Sequence, residues 1–484
     1  MDELPRALLG STRARRRYSP WPMLTIVLVA TFAIALPQQP AASGDAGKPP
    51  DAVQRAAARE LDRAERHGIT WRFDAARPVG TFCNGDPWVV GPVRIVAIDP
   101  KCATVGDRTC NGATVDPDPA QMKHGYDSLL FGQWSKENYD ERRNVALAVA
   151  RGEPLLLQPG QSLVSVISNP GAAGASGPVP HLQLAAVLTC LPEVPRDGAF
   201  RPPYCKAAAA DKTVRFCEAD LDLRALAQLQ PVEGMPDVRE FAATFDKLWL
   251  DHFPSWLGRF AHPTAAMKDY GRDLAADVGS AALLLNTDLP QQHKRDLLVR
   301  FVQFGIDTYG CLKSGCRWSG NGGHASGRKF PILFAGLLLH DEAMLAIGRA
   351  YPSERTQRDG PGTAFFGEDS QTFVVQETAP GEFNWGCGGY TKDHAGLAEW
   401  GFMHTDDPRK DDASWDGNDY RRCCTACCWL GYCLAARAMG LVEAWHHDAF
   451  FGYVDRYLQN EHRPEWRAWV KWHGAMWDRE RSKY

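Results

Sequence analysis

Hydrophobic periodicity changes once along this chain, and that change constrains its fold more than any other feature. Up to about residue 192 the apolar residues come in short runs: Trp88 to Ile98, Val145 to Val149, Leu155 to Leu157, Leu163 to Ile167 and Leu182 to Leu188. Most are bounded by Gly, Pro, Asn or Asp, as strands ended by turns are, and their regular spacing predicts an antiparallel sandwich. Beyond about residue 215 the period becomes helical. Phe241, Phe245, Leu248, Trp249, Phe253, Trp256, Leu257 and Phe260 fall mostly at three- and four-residue steps, which makes one apolar helix face. Further helices are expected over 266–286, 292–309, 330–349, 393–403, 420–439 and 442–460. Helices in succession without intervening parallel strands predict packed helix pairs.

The expected fold class is therefore mainly α. A helical domain over 215–484 follows a β-sandwich-like domain over 74–195, with the Pro-rich stretch leading into a linker at 196–214. A short helical lead is expected over 44–73, because residues 51–66 (DAVQRAAARELDRAER) are strong helix formers. Residues 1–43 read as a targeting segment. Arg13, Arg15, Arg16 and Arg17 precede the apolar run Met23 to Leu36, then Pro37 and the small residues Ala41, Ala42 and Ser43. That run falls short of the ~20 residues of a comfortable membrane span. A signal peptide cleaved near Ala42 is the expectation, and an uncleaved N-terminal anchor the alternative. Either puts the folded part outside the cytoplasm, periplasmic or secreted, with no other membrane contact.

Composition removes several classes. Hydrophobic residues at 44% and charged residues at 23% are ordinary for a globular protein and exclude a disordered, collagen-like or multi-span membrane chain. Lys+Arg at 54 against Asp+Glu at 58 gives a net charge of −4, so a nucleic-acid partner is not expected. Fourteen cysteines in an exported chain favour disulfides. Cys102 with Cys110 and Cys311 with Cys316 are short-loop candidates, and at least one bridge is expected among Cys423, Cys424, Cys427, Cys428 and Cys433. A metal site in that cluster is the lesser reading, because structural zinc usually joins two separated Cys pairs. Neither metal nor cofactor is expected.

Two long Gly-rich loops, 310–329 and 376–392, carry the chemistry-bearing residues, as long loops in compact domains often do. In the first, Asn321 supplies an amide, His324 a titratable imidazole, and Arg328 and Lys329 two cations at the start of the next helix, where the helix terminus adds positive character. Trp318 is a candidate sugar-stacking ring. The second holds Trp385 and, straight after two glycines, Tyr390. Tyr420 and Arg421 mark a further helix entrance, so Tyr420 competes with Tyr390. Glycoside hydrolysis needs two facing carboxyl groups, and none lies in the His-bearing loop. A uronate lyase instead neutralises the carboxylate beside the carbon that loses a proton, then uses Tyr or His for proton transfer. Those are the residue types on offer.

The strings NGGHASGRKFPILFAGLLL, GGYTKDHAGLAEWG and DYRRCCTACCWLGYCLAARAMG resemble helical-toroid polysaccharide lyases acting on uronic-acid polymers, and most of all polysaccharide lyase family 38, the glucuronan and alginate lyases. The resemblance spans about 235–445 and implies a helical (α/α) toroid. It also implies that Asn321 and His324 neutralise the uronate, that Tyr390 is base and acid, and that an acidic polysaccharide is the partner. Arg328, Lys329, Trp318, Trp385, Tyr420 and Arg421 would bind substrate. Two glycines part Asn321 from His324, where an adjacent Asn-His pair marks the alginate lyases. A helical-toroid glycoside hydrolase using Glu399 or Asp393 is the nearer alternative. A non-catalytic glycan-binding envelope protein, stacking sugars on Trp318, Trp385 and Trp415, is the further one.

Overall fold

In the computed structural model, which describes residues 54–131, 138–170, 181–253, 258–265, 271–320, 323–352, 365–383, 389–401 and 419–484, the chain opens on a β-hairpin. Strands β1 (Arg59–Arg66) and β2 (Ile69–Thr81) pair antiparallel around the two-residue turn His67-Gly68. Both turn residues have positive φ, 51° and 79°, which matches the twist of a tight hairpin. Over 54–73, the described part of the helical lead expected at 44–73, that expectation is corrected: turn chemistry and sheet pairing override the helix propensity of the charged run. The targeting segment 1–43 lies outside the described residues.

The next strands are β3 (Pro87–Val90), β4 (Val93–Asp99), β5 (Ala103–Val105), β6 (Arg108–Cys110) and β7 (Ala113–Val115). Helix α1 (Val145–Ala150) and strands β8 (Leu155–Leu157), β9 (Ser162–Ser168) and β10 (Leu182–Leu191) complete this half. Eight of these strands form one mixed sheet in the order β7-β9-β10-β3-β2-β4-β8, with β1 added on β2, and β5–β6 is a separate ribbon. The expected two-sheet sandwich is thus a single curled sheet. The reason lies in β9 and β10, which are apolar on both faces. Leu163, Ala186, Leu188 and Cys190 join a cluster with Val93, Ile95 and the α1 residues Ala146, Leu147 and Val149. Val164, Val166, Ala185 and Val187 join the helical core. A strand covered on both faces needs no second sheet. Helix α1 replaces the strand expected at Val145 to Val149, because the Asn144 side chain accepts from the Leu147 N–H at 3.1 Å and caps a helix start.

The helical half contains α2 (Gly271–Leu285), α3 (Gln291–Lys313), α4 (Lys329–Leu338) and the short α5 (Gly367–Gln371). Strands β11 (Thr372–Val374), β12 (Glu377–Ala379), β13 (Glu382–Phe383) and β14 (Ala398–Trp400) come next, then α6 (Asp419–Cys424), α7 (Ala426–Ala438), α8 (Asp448–Asn460) and α9 (Lys471–Glu480). The fold is mixed α and β, and the mainly α helical toroid expected over 215–484 is not formed. Its helices share one core with the sheet and are interrupted by two small ribbons, β11–β14 and β12–β13. The helix expected over 393–403 gives way to β14: Gly396 at φ +88° breaks the helical path, and Ala398–Trp400 pairs with Thr372–Val374. The stretch expected as a linker, 196–214, buries Arg201, Tyr204 and Cys205 completely.

The described cysteines are all free thiols, so neither the short-loop bridges nor one within Cys423–Cys433 is formed. The Cys427 and Cys428 sulfurs stand 3.5 Å apart, a hydrogen-bonding rather than a bonding distance. Among the described residues no helix is long and apolar enough to cross a membrane, and no group of three or more His, Cys, Asp or Glu is placed to hold a metal ion.

Helices α2 and α7 cross where Gly279 meets Gly431. A Cβ added at Gly431 would lie 2.6 Å from the Gly279 carbonyl oxygen, which is backbone and cannot swing away. Gly431→Ala should therefore cost about 1–3 kcal/mol through forced separation of the pair. Urea unfolding measures it, and a loss under about 0.5 kcal/mol, the usual range for an innocuous surface change, would show that the crossing is slack.

Candidate functional site

Asp251, which follows the apolar run Leu248-Trp249-Leu250, is the point on which the Gly-rich loop closes. Its backbone oxygen accepts from the Trp318 indole N–H at 3.0 Å and the Cys316 thiol at 3.3 Å. Its carboxylate accepts from Arg328 at 2.9 and 3.2 Å and lies 2.9 Å from His262 Nε2. Both ends of the loop are thus tied to one residue. Burial opposes the charge of Asp251, but Arg328 and then His262 outweigh it and hold the carboxyl well below its usual range. Trp318 is buried (1%) and stacks on Phe366, so it is not the exposed sugar-stacking ring expected of it.

Inside the loop, His324 is 2% exposed and lies against Gly271, where a Cβ would come within 2.6 Å of its Nδ1. Ala325 follows with φ +69° and Gly327 with φ +88°, so the chain turns through two left-handed residues within three positions. The Gly327 N–H donates to Glu368 Oε1 at 2.6 Å, and the Gly320 N–H to Ser370 Oγ at 2.6 Å, which seats the loop on α5. Lys329 is ion-paired with Asp369, whose other oxygen accepts from the Trp445 indole at 2.9 Å.

The adjacent acids of α5 have opposite characters. Burial, then the charge of Asp369, pushes the Glu368 carboxyl up to about 7. Burial also opposes ionisation of Asp369, but Lys329 beside it prevails and holds that carboxyl below its ordinary range. The Tyr432 hydroxyl, also buried, is a hydrogen-bonding neighbour of the Glu368 carboxyl. Two neighbouring carboxyls with pKa values driven apart are the arrangement from which acid and base roles arise.

The remaining sequence candidates divide. Arg421 is buried and donates to Glu399 Oε1 at 3.0 Å, while Arg456 takes the other Glu399 oxygen at 2.9 Å. Arg328, Lys329 and Arg421, read from sequence as donors for an anionic substrate, each already face a carboxylate of this chain. Tyr390 is 6% exposed and sits in its own small cluster with Val375 and Phe383, edge-on to Phe373 of β11 at 5.5 Å. The structure therefore brings Trp318, Arg328, Lys329 and His324 together, whereas Tyr390 packs against Phe373 of β11 and His394. Asp393 is exposed. Asn321, Trp385 and Trp415 lie outside the described residues. Tyr420 falls in the first turn of α6, and its side chain lies outside them too.

No protein-family model matches the chain, and comparison with curated proteins and with solved structures finds no match. The uronate-lyase resemblance therefore rests on the three sequence strings that carry it.

Sequence reasoning passed over Asp251, His262, Glu368 and Asp369. A signal existed: Asp251-His252 and Glu368-Asp369 are charged pairs embedded in the apolar stretches LWLDHF and FFGEDSQTF, where an acid needs a buried partner.

The raised carboxyl has a stability consequence. Between about pH 4.5 and about 7 the folded protein keeps a proton on Glu368 that the unfolded chain has released. The contribution is full below about pH 4.5 and falls as pH rises to about 7, by ~3 kcal/mol across the window. Glu368→Gln cannot ionise and should flatten that slope in urea unfolding measured across the window. A variant whose stability keeps the wild-type slope would assign the pH dependence to another group.

Proposed function

We propose that this chain cleaves a uronic-acid-containing glycan by β-elimination. The observation that carries the reading is the seating of the Gly-rich, His-bearing loop on buried charged partners, Asp251 at both its ends and α5 beneath it. Side chains alone do not need such bracing for packing. A loop that must present hydrogen bonds to a developing anion does, because preorganised donors stabilise the charge without reorganising. Since Arg328, Lys329 and Arg421 face acids of the chain, neutralisation of the uronate falls to Asn321 and to His324, whose 2% exposure leaves at most an edge of the ring for substrate, and the three cations brace the loop and its surroundings. Tyr390 carries the proton from the carbon beside the carboxylate and delivers one to the departing glycosidic oxygen. The substrate is an acidic polysaccharide met outside the cytoplasm.

One observation favours a second reading, glycoside hydrolysis. Glu368, pushed up to about 7, stands next to an Asp369 held ionised, two unlike carboxyls in the sense an acid and a base need, with Asp369 already paired with Lys329. The Glu399 and Asp393 of the sequence-based hydrolase reading are less suited, since Glu399 is shared by two arginines and Asp393 is exposed.

A panel of uronic-acid and neutral glycans separates the readings. A lyase leaves an unsaturated, ultraviolet-absorbing chain end, a hydrolase leaves new reducing ends without it, and a binding protein leaves the glycan intact. For the lyase, Tyr390→Phe should lower turnover by about 10²-fold or more with glycan binding retained, the range of a lost acid–base group. His324→Ala should weaken binding and turnover together. Unsaturated product formed at near wild-type rate by Tyr390→Phe would move the proton transfer to another residue, with Tyr420 the first to test.

A further inference from the structure

His324 is followed by a residue in a conformation that L-amino acids avoid. Ala325 has φ +69° and is almost fully buried. For a non-glycine residue this region is disfavoured roughly tenfold, so surrounding contacts must hold it. The contact at hand is on the next carbonyl: Ser326 O accepts from Arg328 Nη1 at 2.7 Å. Arg328 is in turn immobilised from its other side, where Nε and Nη2 donate to Asp251 Oδ1 at 3.2 and 2.9 Å. Asp251 is oriented by His262, whose Nε2 lies 2.9 Å from the same oxygen, and by the bonds of Trp318 and Cys316 to its carbonyl. His262 and Asp251 are 1% and 3% exposed, so water does not compete for these bonds.

The structure assigns Asp251, with His262 behind it, as a positioning residue. It fixes Arg328, Arg328 fixes the Ser326 carbonyl, and that carbonyl keeps Ala325 left-handed and His324 against Gly271. Neither Asp251 nor His262 touches substrate in this scheme, which rests on His324 being a substrate-facing group of the proposed site. The effect passes through a backbone strain, and that gives it a signature an ordinary structural ion pair lacks. Glycine adopts positive φ without penalty. Replacing Ala325 by glycine should therefore compensate for a weakened Asp251, although the two side chains share no bond.

The test compares wild type, Asp251→Asn, and Asp251→Asn combined with Ala325→Gly. His324 ring signals in NMR report position, and glycan turnover reports function. Asp251→Asn should shift the His324 signals and lower turnover about tenfold or more, the factor by which the left-handed conformer is disfavoured. Adding Ala325→Gly should return the signals toward wild type and recover most of that factor. His262→Ala, which leaves the Asp251–Arg328 pair in place, should act in the same direction with a smaller shift, and it serves if Asp251→Asn does not fold. The inference is overturned if the His324 signals stay in place in the folded single variants, or if Ala325→Gly restores nothing in either background. A wild type that cleaves no glycan while the signals follow this pattern removes the proposed function and leaves the positioning standing.

Discussion

Charge taken out of water is what ties this protein's loops together. Asp251–Arg328, Lys329–Asp369 and Glu399–Arg421 are ion pairs in which every member is at most 3% exposed. A buried charge left alone costs several kcal/mol, while a paired one contributes little net stability. Such pairs therefore act less as glue than as addresses. Each specifies which two segments must meet, and a chain that misplaces one member strands the other. Through these addresses the loop 316–329 is closed on Asp251 and seated on α5, and β14 is joined to α6.

The second constraint is the shared core. Strands β9 and β10 send alternate side chains into two apolar clusters, one beneath α1 and one among the helices. Sheet and helices consequently bury one another. The layer so formed lets the loop between α3 and α4 hold one strained left-handed residue, Ala325, without relaxing. Stability is made in the apolar layer, and backbone strain is kept at Ala325, beside His324.

Single elements, though not the fold they make, were legible in the sequence where periodicity was strong and long. Helices α2, α3, α7 and α8 fall within or close to the expected spans, and β8, β9 and β10 lie on the expected apolar runs. What went unread was decided by single residues or by distant partners. His67-Gly68 turned a helix-forming composition into a hairpin, Asn144 turned a short apolar run into α1, and Gly396 with a pairing to Thr372–Val374 turned an expected helix into β14. The toroid failed for a related reason. A period of 3.6 identifies helices but not what their apolar faces meet, and here they meet a sheet.

For the candidate site, the sequence by itself determined the inventory: a Gly-rich loop able to approach a ligand closely, with His324, Arg328 and Lys329 upon it, and a second one leading to Tyr390. Residue type and local spacing suffice for that, because backbone freedom and titratable chemistry are properties of the residues themselves. Only the tertiary structure decided which charges are spoken for. Asp251 is 77 residues from Arg328, and Asp369 is 40 from Lys329. No local pattern links residues so far apart, so cations that looked like substrate donors in the sequence are matched by acids of the chain. The pKa of Glu368 was settled in the same way, because it depends on burial and on a neighbour's charge, and both exist only once the chain has folded.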